Sequence, residues 1–298
     1  MGTNSINGRG KSLVIVLTNV QDLRTNIYKQ LLPSGIVEAQ IESEIILMEA
    51  LSLNKTALYS LSHVDLTRCQ ENKLNEIIKR RIQREPLSYI IGYKEFYGLE
   101  FLVDSRVLIP RPETELLVEE VLTLSSINSK CTLADIGTGS GAIAVTLSTL
   151  RPNFILHAFD ISEGAITVAK NNAIKHDVIK QIDFYHSNLL EASTMKFDFL
   201  VANLPYIPTG RLDSLEPEIF WEPHVALDGG EFGIDLINEL LIKFSNSINP
   251  QGFIILEIDH SQQQYLKTFT AREFPNINTV IKKDLSGCYR VVTIGPFM

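Results

Sequence analysis

From about residue 131 onward the chain alternates strand-like and helix-like segments, and this alternation limits the fold more than any other feature. Candidate strands are 132–136, 154–160, 182–186, 197–203, 252–258, 277–283 and 288–294, with helical stretches between most of them. Repeated strand–helix alternation specifies an α/β fold with a doubly wound sheet.

Upstream the period changes. Residues 18–85 read as a small helical domain of four or five helices. Val37, Ile41, Ile45, Ile46 and Met48-Glu49-Ala50-Leu51 carry the 3–4 spacing of one amphipathic helix. Leu74, Ile77, Ile78 and Ile82 carry another, and Pro33-Ser34-Gly35 breaks the first pair. Residues 1–17 read as a variable tail. A transition follows at Glu85-Pro86, and residues 86–110 read as a β-hairpin linker, with Phe96-Tyr97-Gly98-Leu99-Glu100-Phe101-Leu102-Val103 as its strands. Then comes Ile109-Pro110-Arg111-Pro112-Glu113-Thr114-Glu115, where two prolines stiffen a loop and acidic residues open a helix. Residues 111–298 form the chemical domain.

Composition removes several function classes. At 298 residues and 45% hydrophobic content, the chain can bury one large or two modest cores. Mean hydropathy is +0.08, yet no apolar run approaches the roughly 18–20 residues of a membrane span. Ser12-Leu13-Val14-Ile15-Val16-Leu17 is too short for a signal peptide's apolar region, so a cytoplasmic protein with no membrane partner is expected. Cys69, Cys131 and Cys288 lie far apart and the six histidines lack ligand spacing, so neither a disulfide framework nor a metal site is expected. Net charge is −8 and uneven: residues 87–298 hold 26 acidic and 16 basic side chains, residues 1–86 hold 9 and 11. An acidic chemical domain argues against attraction to a nucleic-acid backbone. The basic cluster Lys79-Arg80-Arg81-Arg84 reads as a solvated helix face, or else as a docking patch.

The first strand of the chemical domain ends in Asp135-Ile136-Gly137-Thr138-Gly139-Ser140-Gly141, which then opens a helix. Glycines there let the backbone turn tightly and approach a ligand. Asp160 ends the second strand, where a carboxylate can accept from both hydroxyls of a ribose. Dinucleotide and S-adenosylmethionine sites share this logic. The dinucleotide fingerprint is spaced GxGxxG, whereas this loop is spaced GxGxG and is preceded by Asp135, a charge better suited to a cationic sulfonium. At the end of the third strand, Asn188 can bond an adenine amino group, with Leu189 beside it.

The fourth strand ends in Asn203-Leu204-Pro205-Tyr206. Such a tetrapeptide is either a plain strand-ending turn or the answer to a specific problem: methylating a planar nitrogen whose lone pair is tied up in resonance. The Asn203 side-chain oxygen can accept one N–H and the Leu204 carbonyl the other. Tyr206 can pack on the flat face of the group, and Pro205 holds Leu204 extended.

Taken with Glu85-Pro86-Leu87-Ser88-Tyr89-Ile90-Ile91-Gly92, Glu222-Pro223, Asp228-Gly229-Gly230 and Gly233, these segments resemble the release-factor glutamine methyltransferases, the HemK/PrmC family, from about residue 18 to the C-terminus. The resemblance implies a small all-α domain that recognises substrate, a β-hairpin linker and a class I S-adenosylmethionine-dependent methyltransferase domain with a Rossmann-like sheet. It implies methyl transfer from S-adenosylmethionine to the glutamine amide in the Gly-Gly-Gln loop of a peptide chain release factor. Carried over, Gly137, Thr138, Gly139, Ser140, Gly141, Asp160, Asn188, Leu189 and Asn203 serve the cofactor. Asn203, Leu204, Pro205 and Tyr206 serve the substrate amide, and Phe96 or Phe101 completes the apolar wall. The chain departs from the family pattern at Leu204, where Asn-Pro-Pro-Tyr is usual, at Asn188, where Asp is usual, and at Leu189, where an aromatic is sometimes found. Three other readings stay open: a glutamine methyltransferase acting on a ribosomal protein, an adenine-N6 nucleic-acid methyltransferase, and a release-factor binder without catalysis.

Overall fold

The computed structural model describes residues 18–298. The expected tail, with its Ser12–Leu17 apolar run, lies outside them. The chain divides into two compact units, one ending at Ile91 and the other spanning Gly92–Met298.

The first unit is helical. A two-residue strand β1 (Thr18–Asn19) pairs antiparallel with β2 (His63–Val64), and α1 (Val20–Leu31), α2 (Ala39–Leu51), α3 (Lys55–Ser60), α4 (Arg68–Ile82) and α5 (Leu87–Ile91) make up the rest. Side chains set the helix starts. Asn19 accepts from the amides of Gln21 and Asp22, and Thr67 with Gln70 forms a capping box on α4. Gly35 takes φ +74° after a short 3-10 turn, which separates α1 from α2. The apolar face of α2 differs from the sequence reading. Val37 precedes the helix and is 91% exposed, and Ile41 is 58% exposed. The buried positions are Ala39, Ser43, Ile46, Leu47, Ala50 and Leu51. With Ile at 41, 45 and 46, two faces compete in the pattern, and packing against α1 and α4 selects the one through Ile46 and Leu47.

The basic cluster at the end of α4 is partly internal. Arg81 is buried and grips Glu42 through Nε (2.6 Å) and Nη2 (3.1 Å). Arg80 forks onto Glu85, and Arg84 Nη1 donates to the carbonyls of Ser34 and Gly35. Arg81 and Arg84 thus tie parts of the unit together, while Lys79 is exposed and Arg80 partly so, which leaves part of the expected solvated face.

The second unit begins with the hairpin β3 (Tyr93–Phe96) and β4 (Leu99–Leu102). It continues through α6 (Glu115–Leu124), β5 (Thr132–Ile136), α7 (Ala142–Leu150), β6 (Ile155–Asp160), α8 (Glu163–Lys175), β7 (Ile182–His186), β8 (Phe197–Ala202), α9 (Asp235–Phe244), β9 (Ile248–Glu257), α10 (Gln263–Glu273), β10 (Thr279–Lys283) and β11 (Tyr289–Ile294). Seven strands form one sheet in the order β10-β11-β9-β8-β5-β6-β7, parallel except at β11, which runs antiparallel to both neighbours.

Both faces of the sheet are covered, so the central strands are apolar almost throughout. Leu133, Phe199, Val201 and Ile255 pack with α6 and α7, whereas Ala134, Ile136, Leu200, Ala202, Ile254 and Leu256 pack with α9 and α10. The alternation follows from the two-residue period of a strand. The hairpin joins the first of these cores through Phe96 and Phe101, whose rings meet edge to face at 6.0 Å.

Candidate active site

Counted from β5 as the first strand, the parallel strands run 3-2-1-4-5 across the sheet, so the order reverses between β5 and β8. A crevice opens above the carboxyl ends at such a reversal, and ligands of doubly wound sheets bind there. A cavity of about 460 Å³ occupies this position, within the roughly 300–1,000 Å³ of small-molecule sites. The loop leaving β5 forms one side and the loop leaving β8 the other.

The glycine loop is pinned from below. The amides of Gly137 and Thr138 both donate to the Phe159 carbonyl, at 2.8 and 2.9 Å. Gly137 has φ +72°, and a β-carbon there would stand 3.3 Å from Leu204 Cδ2. The two loops therefore touch where a larger residue would separate them. Asp135 is fully buried and does not line the cavity. Its Oδ2 accepts from Thr138 Oγ1 (2.7 Å) and the Ala144 amide (3.2 Å), while Oδ1 has no hydrogen-bond partner among the described residues. Burial pushes this carboxyl up to about 7, against the pull of those two donors. Asp135 thus shapes the loop from within rather than facing a ligand, as the sequence reading had it.

Asp160, at the end of β6, does line the cavity. Its Oδ2 accepts from the Gly139 amide and its Oδ1 from the Ser162 amide, both at 2.8 Å. Each oxygen keeps lone-pair capacity for a further donor. Burial raises its pKa, and these backbone amides oppose the rise. Asn188 and Leu189 line the far end, with Asn188 Nδ2 donating to Glu191 at 3.3 Å.

Asn203, Leu204 and Pro205 line the opposite wall. The Asn203 Nδ2 donates to Thr114 Oγ1 at 3.0 Å, and Thr114 Oγ1 donates to Glu257 Oε2 at 2.7 Å. Tyr206 does not line the cavity. Its hydroxyl donates to Glu257 Oε1 at 3.1 Å, and burial together with the Glu257 charge raises its pKa. Burial also raises Glu257, while the Thr114 and Tyr206 hydroxyls and the Arg290 charge hold it down. Behind the tetrapeptide, the Gly229 amide donates to the Ile207 carbonyl, and Gln262 Nε2 donates to the carbonyls of Tyr206 and Gly233.

The segment before α6 is tied to the same place. Arg111 Nη2 meets Glu222 Oε1 at 2.5 Å, and the buried Glu222 is raised by burial against the Arg111 charge. Glu115 accepts from the Tyr97 amide at the hairpin turn (2.7 Å). Asn172, fully buried on α8, bonds both backbone groups of Leu102 and donates to the Ser140 carbonyl, which couples hairpin to glycine loop.

Of the residues expected at the site, Gly137, Thr138, Gly139, Ser140, Asp160, Asn188, Leu189, Asn203, Leu204 and Pro205 surround one cavity. Gly141 lies beneath it, at φ +81° against Ala169. Phe96 and Phe101 are buried in the core under the hairpin, and neither lines the cavity. Leu108, Pro110 and Val225 provide apolar wall instead. Thr114 and Glu257 were not singled out from the sequence. The available signal for Glu257 was a carboxylate closing the apolar run Phe253-Ile254-Ile255-Leu256 at a strand's carboxyl end.

Two family models match the chain. The PrmC N-terminal domain matches residues 22–92, and the methyltransferase small domain matches residues 112–281. The chain is 37% identical to the release factor glutamine methyltransferase of Koribacter versatilis, over 85% of this chain and 90% of that one. It is 36% identical to that of Moorella thermoacetica, over 87% and 92%. The chain belongs to the release factor glutamine methyltransferase family. A methyltransferase from Pyrococcus furiosus shares the fold, with a TM-score of 0.51 at 16% identity, covering 72% of this chain and 96% of that one.

Family membership agrees with the fold expected from the sequence: a helical N-terminal domain and a seven-stranded class I methyltransferase sheet. Among the described residues, no helix is long and apolar enough to cross a membrane, and no cluster of His, Cys, Asp or Glu could hold a metal ion.

Proposed function

We propose that this family member transfers a methyl group from S-adenosylmethionine to the side-chain amide of the glutamine in the Gly-Gly-Gln loop of a peptide chain release factor. The observation that supports this most is Asn203 on one wall of the cavity, with Asp160 and the Gly137–Ser140 backbone among its other lining residues. The residues fit the cofactor. The glycine positions leave room for close backbone approach, Asp160 retains acceptor capacity for a ribose diol, and Ile136, Ile143, Ile161 and Leu189 offer apolar faces to a flat base. Asn188 is placed to bond an adenine amino group.

The bound cofactor supplies a methyl group on a cationic sulfonium, an electrophile that needs no metal. The protein's part is to hold a poor nucleophile. Asn203 Oδ1 accepts one amide N–H of the substrate and the Leu204 carbonyl accepts the other. With both hydrogens held, the nitrogen's position and the direction of its lone pair are fixed, and most of the rate comes from that alignment. The two acceptors also stabilise the positive charge that grows on the nitrogen. The nitrogen sheds its proton after the N–C bond forms, so no general base is required beforehand. Leu204 suffices where the family has proline, since a backbone carbonyl is what the role asks. The helical unit would recognise the protein substrate.

Titration calorimetry with S-adenosylmethionine and with NAD tests the cofactor half of the reading. Binding of the former alone is expected; binding of NAD alone contradicts it. Transfer of labelled methyl to an unmethylated release factor, absent when its Gly-Gly-Gln glutamine is replaced, tests the substrate half.

A further inference from the structure

Glu257 is the residue on which both functional side chains of the tetrapeptide converge. Its carboxylate, 1% exposed, takes the Thr114 hydroxyl on Oε2 at 2.7 Å and the Tyr206 hydroxyl on Oε1 at 3.1 Å. Thr114, also buried, accepts Asn203 Nδ2 at 3.0 Å. The three elements meet from distant sequence positions: the turn before α6, the loop after β8 and the carboxyl end of β9.

The direction of these bonds carries a consequence. While Glu257 is ionised its carboxylate only accepts, so the single Thr114 hydroxyl hydrogen is committed to it. Thr114 Oγ1 then has only lone pairs to offer Asn203. An amide facing it must present its NH2 end, because an oxygen there would meet a second acceptor. The Asn203 amide is therefore fixed in one of its two orientations, with Oδ1 left to meet a donor. The orientation that a substrate N–H requires is thus set two bonds away.

We propose that Thr114 and Glu257 are positioning residues for methyl transfer, which orient the Asn203 amide as a hydrogen-bond acceptor and hold Tyr206 in place. The inference rests on the reading of Asn203 as the acceptor for the substrate amide. Glu257 lies outside the cavity lining and Thr114 is part of it, with its hydroxyl engaged by Glu257 and Asn203; each acts through Asn203 or Tyr206. Glu257 ends β9 inside the sheet, where a charge is costly unless paired and hydrogen-bonded. Two hydroxyl donors from the catalytic loop and its neighbour supply the hydrogen bonds, and the Arg290 charge favours the ionised form.

Two near-isosteric variants and one rescue test this. Thr114→Val keeps the shape and removes the relay. Glu257→Gln forces an NH2 group toward one of the two hydroxyls. Thr114→Ser restores the hydroxyl. Wild type and variants are compared for kcat and KM on release factor, for S-adenosylmethionine affinity by calorimetry, and for melting temperature. The expected result is a kcat lowered about a hundredfold in Thr114→Val and about tenfold or more in Glu257→Gln, with cofactor affinity within about threefold. Thr114→Ser should remain within about threefold of wild type. An active wild type with Thr114→Val and Glu257→Gln both at near-normal kcat overturns the positioning role alone. Equal loss in Thr114→Ser and Thr114→Val, or collapse of melting temperature in both Thr114→Val and Glu257→Gln, reduces the network to a structural one and also overturns it. A wild type that binds cofactor but leaves release factor unmodified overturns the functional reading and, with it, this inference.

Discussion

Gly233 presses its α-carbon against the Tyr206 carbonyl: a β-carbon added there would stand 2.2 Å from that oxygen. Gly233 also has φ +73°, a region L side chains rarely adopt. A β-carbon at Gly230 would meet the Asp235 side chain, whereas the Gly229 and Gly233 positions of the sequence motif are explained by close approach to the tetrapeptide. They let a second loop lie flat behind Asn203-Leu204-Pro205-Tyr206. Gly229 makes the same kind of approach, with a β-carbon falling 2.6 Å from the Pro205 carbonyl.

Gly233→Ala is therefore expected to push the tetrapeptide out of place. Backbone strain and overpacking together should cost about 2–5 kcal/mol of stability, and turnover should fall more than cofactor affinity. Gly287→Ala is the control: φ is +85° but nothing lies within 4 Å of the new carbon, so only strain of about 1–2 kcal/mol is expected. Chemical denaturation and steady-state kinetics on both variants separate the two effects. Equal behaviour of the two variants would show that the Tyr206 contact does not matter.

On the proposed reading, Asp160 would join the cofactor to the glycine loop. Its Oδ2 already holds the Gly139 amide at 2.8 Å, so removing the carboxylate loosens the loop as well as losing the ribose acceptor. Each hydrogen bond to a charged group is worth roughly 1.5–3 kcal/mol. Asp160→Ala should weaken S-adenosylmethionine binding by about ten- to a hundredfold, read by calorimetry. Unchanged affinity would contradict the ribose assignment.

The fold was open to sequence reading because its periods are strong. All seven candidate strands appear within a few residues of their expected ends, since parallel strands such as 132–136 and 197–202 are short runs dominated by buried apolar residues. The cavity side of the glycine and Asn203 loops was legible for a related reason: each lies at a strand end, in a short segment. What escaped was set by contacts distant in sequence. Asn203 and Thr114 are 89 residues apart, and Thr114 and Glu257 are 143 apart. No local period joins them. Phe96 and Phe101 show the opposite error. An aromatic in a hairpin near a site looks like a pocket wall, but the hairpin turns both rings into the core with α6 and α7. The α2 face failed because three isoleucines at 41, 45 and 46 fit two helical stripes, and only packing decides between them.

Asp135 gives a prediction on pH. Its pKa rises from an ordinary 3.8 to about 7 on folding, first through burial. Between those values the folded protein binds the proton more tightly than the unfolded chain. This contribution is present in full below about pH 4 and is lost as pH rises through about 7. The span corresponds to a contribution on the order of 4 kcal/mol. Other carboxylates titrate as well, so the comparison is between wild type and Asp135→Asn. The variant should show a shallower decline of unfolding free energy from pH 4 to 8. Parallel curves for the two proteins would mean that Asp135 does not titrate in this range.

The proposed function depends on Asn203 holding a release-factor glutamine for methylation. Mass spectrometry tests it on an unmethylated release factor incubated with this protein and S-adenosylmethionine, with Asn203→Ala alongside. One added methyl is expected on the glutamine of the Gly-Gly-Gln loop. With Asn203→Ala that product should form about a hundredfold to a thousandfold more slowly, while cofactor binding is largely kept. An unmodified glutamine in the presence of cofactor-loaded wild-type protein, or full modification by Asn203→Ala at the wild-type rate, would contradict it.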